Sequence, residues 1–404
     1  MKQPWYNIPC VEYKNLCATV IGGGLAGTSV AYSMAKRGWR VKLIERNDRL
    51  SAEASGNDAA IISPLISHKN DIIGKFFLAG FLHTINRLNE LKKHFNVKSD
   101  LCGVFELSSD KVKKNIEELV INKGVVEKLS AAQASEVIGH KLLNGVLHIK
   151  QGGWLSPVDF CRANIQAYKD NIEIILNLEA ISLSEENNKW IVRGQDGNII
   201  CESDVVIIAN SNDAGKFPQT DRLPLIPVRG QVTHVISDEI KTGKVLCYEG
   251  GYVIPAIDGV NYIGATYDKK NLKLNANSKD DNINLCNLNN IINTKSCRIV
   301  GAKAALRSTS PDRRPMIGTV ADRESFLRDY ADLKHGKANK NYPDGAYYKG
   351  LYVSTGFGSR GVTGCPIAGE IIAAMINNEP LPVDKKIIDA VNPARFIIRE
   401  LKKG

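Results

Sequence analysis

Residues 17–27 read CATVIGGGLAG, and no other stretch limits the available folds as strongly. The run 17–22 is short, apolar and β-branched, and it ends in glycine. Residues 25–37 have helix-forming composition and are closed by Gly38, and 39–45 (WRVKLIE) return to strand character. Strand, helix and strand in this order form a β-α-β unit with a right-handed crossover and buried parallel strands. Gly22, Gly24 and Gly27 satisfy G-x-G-x-x-G at the strand-to-helix junction, and Glu45 ends the next strand. The bare pattern is weak, but in this context it is the dinucleotide fingerprint. Gly22 permits the tight turn, Gly24 lets a pyrophosphate approach the backbone, and Gly27 lets helix and strand pack closely. The N–H groups of Leu25, Ala26 and the rest of the first turn face the phosphates, and Glu45 accepts ribose hydroxyls. The bland alternative is a glycine-rich turn with no ligand.

Further along, 72–95 reads as a helix rich in Phe, Leu and Lys. Strands are expected at 172–183, 189–193 and 198–209, the last ending in the apolar run from Val205 that suits a central strand. Pro218, Pro224 and Pro227 mark a domain crossing. Residues 228–266 alternate and turn like an antiparallel sheet, and 269–296, rich in Asn, Lys and Asp, read as a solvated excursion with room for one helix. A last strand, 351–354, leads into the glycine-rich turn STGFGSRGVT and a helix over 367–376. The fold class is therefore α/β: a Rossmann-type dinucleotide domain interleaved with an α+β antiparallel-sheet substrate domain. The boundaries expected are 1–95, 150–222 and 305–404 for the first and 96–149 and 223–304 for the second.

At 404 residues the chain is long enough for two such domains. No run approaches the ~18–20 apolar residues of a membrane span, and 1–17 lacks the apolar core of a signal peptide. The expectation is a cytoplasmic protein with no membrane partner. Nine cysteines, an odd number without a C-x-x-C pair, read as scattered thiols, and neither they nor the seven histidines show metal-ligand spacing, so no metal is expected. A net charge of +10 favours a polyanionic partner, although over this length it is moderate.

A nicotinamide enzyme usually continues through further β-α-β units, whereas this chain carries a second strand group near 205 and a strand-turn-helix near its end. The turn 354–363 would set a helix N-terminus against a ligand arriving from the first site, where it favours the negative charge of a reduced flavin. That comparison favours FAD over NAD.

The segments VIGGGLAG, VVIIAN, ALRSTSPDRRPMIG and TGFGSRGVTG together resemble the D-amino-acid oxidase and glycine oxidase superfamily. EASGNDAAIISPLISHKN, QGGWLSP, RGQVTH and NPARFIIRELKKG are similar, more specifically, to the C-terminal oxidoreductase half of the MnmC family, bifunctional enzymes that mature the wobble uridine of certain tRNAs. The resemblance runs over nearly the whole chain from QPWYN onward. It implies FAD as cofactor, with Arg46 beside Glu45, the segment Ser55, Gly56 and Asn57, and then Ala180, Ala209 and Asn210 along the dinucleotide. It also implies that Gly356, Gly358, Ser359, Arg360, Gly361, Val362 and Thr363 form a flavin-facing turn. Because the similarity starts beyond the methyltransferase part, only the oxidative step is implied: carboxymethylaminomethyl-uridine in tRNA would become aminomethyl-uridine with release of glyoxylate, and methylation would either fall to a separate methyltransferase or not occur.

Such a substrate ends in a glycine-like carboxylate, and the planar fork of arginine matches two carboxylate oxygens. By the resemblance Arg307 takes the place of the carboxylate-binding arginine, Tyr252 that of a tyrosine assisting it, and Arg360 sits on the flavin-facing turn. Their bland readings are a surface ion pair, a sheet-packing aromatic and a helix-end partner. Arg395, Arg399, Lys402 and Lys403 form a terminal basic cluster, either a solvated helix end or a place for tRNA to dock. A free-amine oxidase acting on glycine or sarcosine would keep FAD and Arg307 without needing a basic surface. A flavin-bound scaffold would have no use for the arginine.

Overall fold

The computed structural model describes residues 3–67, 71–107, 124–335 and 341–403; His68, Lys69 and Asn70 of the EASGN…HKN segment lie outside them. The chain forms two compact units, one of residues 1–55, 161–226 and 308–404, the other of 56–160 and 227–307. The sequence reading grouped 56–95 and 150–160 with the dinucleotide part, but they belong to the second unit. There the strands Ala60–Ile62, Gly153–Leu155 and Ser99–Asp100 join in one small sheet. The helix Ile72–Lys92 is capped by Asp71, whose carboxylate accepts from the Ile73 N–H at 3.1 Å. Phe77, Phe81, Ile85 and Leu88 line one buried face of that helix.

The first unit is built on a six-stranded sheet in the order Met316–Ala321, Tyr347–Thr355, Val205–Ile208, Cys17–Ile21, Arg40–Ile44 and Ile172–Ile175. All pairings are parallel except that of the first two strands. The four-residue strand Val205–Ile208 is fully buried, as an apolar run covered on both faces should be. The expected strand 198–209 is two strands. Ile199–Ser203 pairs with Lys189–Arg193 in a separate three-stranded sheet. The break is Asp204, whose N–H donates to the Cys17 carbonyl at 3.0 Å and whose carboxylate accepts from the Cys17 N–H at 3.3 Å. Likewise 172–183 divides into Ile172–Ile175 and Ser182–Glu186, in different sheets.

The second unit holds an eight-stranded sheet. The expected antiparallel meander is there as Ile226–Ile236, Val245–Tyr248, Gly251–Ile257 and Val260–Gly264, extended by Arg298–Thr309 on one side and by short strands at 104–106, 146–149 and 126–129 on the other. Phe105, Val146, Val235, Leu246, Val253, Ile263 and Leu288 share its core. The excursion 269–296 is more ordered than its composition implied. Its helix Ser278–Asn289 buries Asp280, Asp281 and Asn284. Asp281 accepts from Gln231 Nε2 at 2.8 Å and Thr233 Oγ1 at 2.6 Å, and Asp280 pairs with the buried Arg229. The RGQVT run is thus the buried half of a polar network, in which Arg229, Gln231 and Thr233 all meet the acids of the helix or its N-cap.

Candidate active site

Three neighbouring parallel strands, Cys17–Ile21, Val205–Ile208 and Tyr347–Thr355, release their chains at one edge of the six-stranded sheet. The strand order reverses between the first two, and crevices outside the carboxyl ends at such a reversal take ligands. Gly22, at φ +108°, makes the turn, and a Cβ there would meet the Ala209 carbonyl and Asn210 Cα at 2.8 Å. Gly27 lies so close to the Gly22 carbonyl that no side chain fits. The helix Leu25–Ala35 begins at Gly24, which has no side chain to cap it, and Ser55 Oγ accepts from the Leu25 N–H at 3.0 Å. Glu45 is buried and oriented: Oε2 accepts from the Gly23 N–H at 2.7 Å, and Oε1 from the Asn47 N–H at 2.9 Å and Nδ2 at 2.6 Å. Asn210 Oδ1 is buried with no partner among the described residues.

The third strand leads to Gly356 and Gly358, both with positive φ, and then to the helix Gly361–Ile376. That helix starts six residues earlier than expected and runs through Pro366. Arg360 is its N-cap residue without a side-chain cap, and Thr363 Oγ1 donates to the Arg360 carbonyl at 3.3 Å. A Cβ on Gly361 would lie 3.5 Å from Leu25 Cδ1, so two helix N-termini start side by side. Gly369 lets the two helices touch, since a Cβ there would stand 2.5 Å from the Ser29 carbonyl. Positive ends of two helix dipoles at one edge make an anion site.

In the second unit, Arg307 lies near the end of the edge strand. Its guanidinium rests on Gly230, where a Cβ would be 2.5 Å from Cζ and 2.6 Å from Nη1. The one hydrogen bond Arg307 makes among the described residues runs from Nη1 to the Thr266 carbonyl at 3.3 Å, and no carboxylate pairs with it there. Burial pulls its ionisation down from the usual arginine range, opposed by Tyr252. Tyr252, cross-strand from Gly264, lays its ring on that glycine, with the hydroxyl 3.2 Å from where a Cβ would be. Burial pushes the Tyr252 phenol up to about 12, against the lowering charge of Arg307. A partly buried cation with four unused donors beside a neutral phenol can receive a carboxylate. Gly230 and Thr266 carry this geometry and went unassigned in the sequence. Glycine inside a strand signals close backbone approach, and that was the available clue.

Residues 18–375 match the profile of the FAD dependent oxidoreductase family. The chain belongs to this family. Among curated proteins it is 35% identical over 418 residues to the tRNA 5-methylaminomethyl-2-thiouridine biosynthesis bifunctional protein MnmC of Pseudomonas savastanoi pv. phaseolicola, and 36% identical over 420 residues to that of Pseudomonas syringae pv. tomato. Each match takes in 100% of this chain and 62% of the relative, so the chain spans under two thirds of their length. Its fold is that of glycine oxidase from Geobacillus kaustophilus (TM-score 0.75, 17% identity, 94% of this chain and 98% of that one). It is also that of L-proline dehydrogenase from P. horikoshii (TM-score 0.76, 18% identity, 94% and 97%).

The residues of this FAD-dependent oxidoreductase fit the cofactor. The Gly22–Gly27 turn and the bare helix start would suit a pyrophosphate, the oriented Glu45 carboxylate could accept from a ribose hydroxyl, and the orphaned Asn210 Oδ1 lacks a donor that a ligand can supply. Ala180 is buried in the core cluster with Ile21 and Ile44. Other sequence candidates are committed within the chain. Arg46 pairs with Glu53 at 2.5 Å and Asp213 at 2.6 Å. The Gly56 carbonyl accepts from Lys303 Nζ at 2.5 Å. The terminal basic cluster divides: Arg395 is buried, donates to Asp312 at 3.0 and 3.1 Å and caps the carbonyls of Val391, Asn392 and Arg314. Arg399 joins the same carboxylate at 2.5 Å, and Lys402 stands 5.0 Å from the centre of the Trp5 ring. Arg395 and Arg399 thus bind the last helix to its unit, Arg395 buried and Arg399 with 43% of its side chain exposed. No helix among the described residues is long and apolar enough to cross a membrane.

Proposed function

We propose that this FAD-dependent oxidoreductase oxidises the CH–NH group of carboxymethylaminomethyl-uridine at the tRNA wobble position, giving aminomethyl-uridine and glyoxylate. The observation that carries the reading is Arg307, a partly buried guanidinium with no acidic partner and one weak carbonyl contact among the described residues. A substrate ending in a carboxylate completes it, and the MnmC relatives, named for tRNA 5-methylaminomethyl-2-thiouridine biosynthesis, support the choice of substrate.

FAD, when bound, supplies the acceptor for the hydride that leaves the carbon between nitrogen and carboxylate. Arg307 holds the carboxylate through two parallel N–H bonds, and the neutral Tyr252 hydroxyl donates a third. Fixing that end orients the adjacent C–H bond, which is what positioning contributes to such a step. Arg360 and the N–H groups at the start of the helix Gly361–Ile376 favour negative charge arriving at that turn. The nitrogen loses its proton as the C=N bond forms; water then adds to this imine carbon, and the C–N bond breaks to release the amine and glyoxylate.

The test is nucleoside mass spectrometry of tRNA incubated with the holoenzyme, beside oxidation of free glycine and sarcosine. Loss of carboxymethylaminomethyl-uridine with equimolar glyoxylate is the expected result. Rapid turnover of glycine with unchanged tRNA would replace this reading with that of a free-amine oxidase.

A further inference from the structure

The loop that leaves Thr266 combines a rigid backbone with outward-facing side chains. Tyr267 is 58% exposed and Leu274 54% exposed, and the Lys269 ammonium lies 5.9 Å from the centre of the Tyr267 ring. Lys269, Lys270 and Lys273 are all exposed, and no carboxylate pairs with them among the described residues. The one acid of 267–275, Asp268, turns its Oδ1 to the N–H groups of Lys270 at 2.7 Å and Asn271 at 3.1 Å. From below, Arg229, 1% exposed, donates to the carbonyls of Lys273 at 2.5 Å and Asn275 at 2.8 Å. Its backbone exchanges hydrogen bonds of 2.8 and 2.9 Å with Asp268. Burying a guanidinium is costly, and here it fixes the path of a loop whose side chains face water.

We propose that loop 267–275 docks single-stranded RNA next to the modified nucleotide, with Tyr267 stacking a flanking base and Lys269, Lys270 and Lys273 taking phosphates. The proposal rests on the reading that the substrate is a nucleotide within RNA, and it adds where that RNA lies. Unpaired bases are recognised by stacking on aromatic rings, and their backbone by cations along the same path. An exposed ring beside three lysines, with the single nearby acid turned to the backbone, meets both requirements. Location agrees: Tyr267 directly follows Thr266, whose carbonyl holds Arg307. A side chain that reaches Arg307 therefore brings its neighbouring nucleotides to this loop.

The experiment uses the FAD-loaded full chain and a fluorescent anticodon stem-loop RNA carrying carboxymethylaminomethyl-uridine, with affinity read by anisotropy over a range of salt. Tyr267→Ala is expected to weaken binding about tenfold, while Tyr267→Phe, which keeps the stacking face, binds like wild type. Replacing Lys269, Lys270 and Lys273 together by Gln is expected to flatten the slope of log affinity against log salt by about two. Flavin absorbance of each variant confirms folding. Wild-type affinity and slope in Tyr267→Ala and the triple variant overturn the proposal. Oxidation of the free modified nucleoside by wild-type protein separates the two readings: with the nucleoside oxidised, unchanged variants defeat only the docking loop. If wild type neither oxidises the nucleoside nor binds the RNA, both readings fail.

Discussion

The guanidinium of Arg307 lies directly on the backbone of Gly230, with no room for a methyl group between them. The arginine therefore owes its position to a missing side chain on the neighbouring strand. Gly230→Ala is expected to push the fork off its place while leaving charge and burial nearly unchanged. Misplacing a substrate anchor by about an ångström costs on the order of a hundredfold in rate. Steady-state oxidation of modified tRNA should show that loss with full flavin content, and wild-type efficiency would mean that the arginine does not hold substrate.

Arg307 itself gives a graded series. Lys keeps the charge but loses the fork, and a charged hydrogen bond is worth roughly 1.5–3 kcal/mol, so Arg307→Lys should lower kcat/KM about tenfold or more. Arg307→Ala should lower it further, because the carboxylate is then desolvated without a partner. Flavin should stay bound in both, and its loss together with activity would make Arg307 a structural residue.

Tyr252 should remain a hydrogen-bond donor throughout the neutral range. Burial raises its phenol to about 12, above the ordinary value near 10, so the donor form is lost only as pH rises through the folded value. The ratio of kcat/KM between wild type and Tyr252→Phe should therefore be constant from about pH 7 to about pH 10. A step in that ratio within the window would show Tyr252 ionising there.

Cofactor retention should depend on the first unit. Gly27→Ala sets a methyl group against the Gly22 carbonyl, and Glu45→Gln removes the charge that the Gly23 N–H meets at 2.7 Å. Both variants should purify with less FAD, and Glu45→Gln should bind it roughly tenfold more weakly on the scale of one charged hydrogen bond. Flavin titration followed by fluorescence quenching measures this; unchanged affinity in both would place the dinucleotide elsewhere.

Asp312 links stability to pH. Burial raises its carboxyl, but the hydrogen bonds and charge of Arg395, with Ser310 and Arg399, outweigh burial and hold it well below the carboxylate range. A depressed folded value gives stability that is present above the unfolded value near 3.9 and lost as pH falls through the folded one. Asp312→Ala leaves Arg395 buried without its acid, a change that costs about 3–5 kcal/mol. The Tm of Asp312→Ala should be well below that of wild type at pH 7, and the gap should narrow in acid. Equal melting at both pH values would dismiss the linkage.

The residues most legible in the sequence are those whose role is local. Gly22, Gly24 and Gly27 announce a turn that no larger residue can make, and the run from Val205 announces a central strand. Residues whose role depends on distant partners were harder. The break at Asp204 follows from hydrogen bonds to Cys17, and nothing in CESDVV reveals them. The apolar face of 72–92 shows that the helix is buried but not against which sheet. The last long helix is expected only from 367, whereas it begins at Gly361 and runs through Pro366. Asn- and Lys-rich composition suggested that 269–296 is solvated, although Asp280 and Asp281 are buried by Arg229, Gln231 and Thr233. The basic residues at the C-terminus looked alike in sequence, and only the fold separates Arg395 from Lys403.

The three strand ends of the sheet edge come from residues 21, 208 and 355. A ribosome exposes the last of these strands long after the glycine turn, with the whole stretch between residues 27 and 347 made in the interval. Contacts so far apart in sequence form late, after costly loop closures. With FAD placed at this edge, its site is complete only once the strand Tyr347–Thr355 has been made. Loading then follows the assembly of this edge, and protein made without flavin should be recovered as a looser apoprotein.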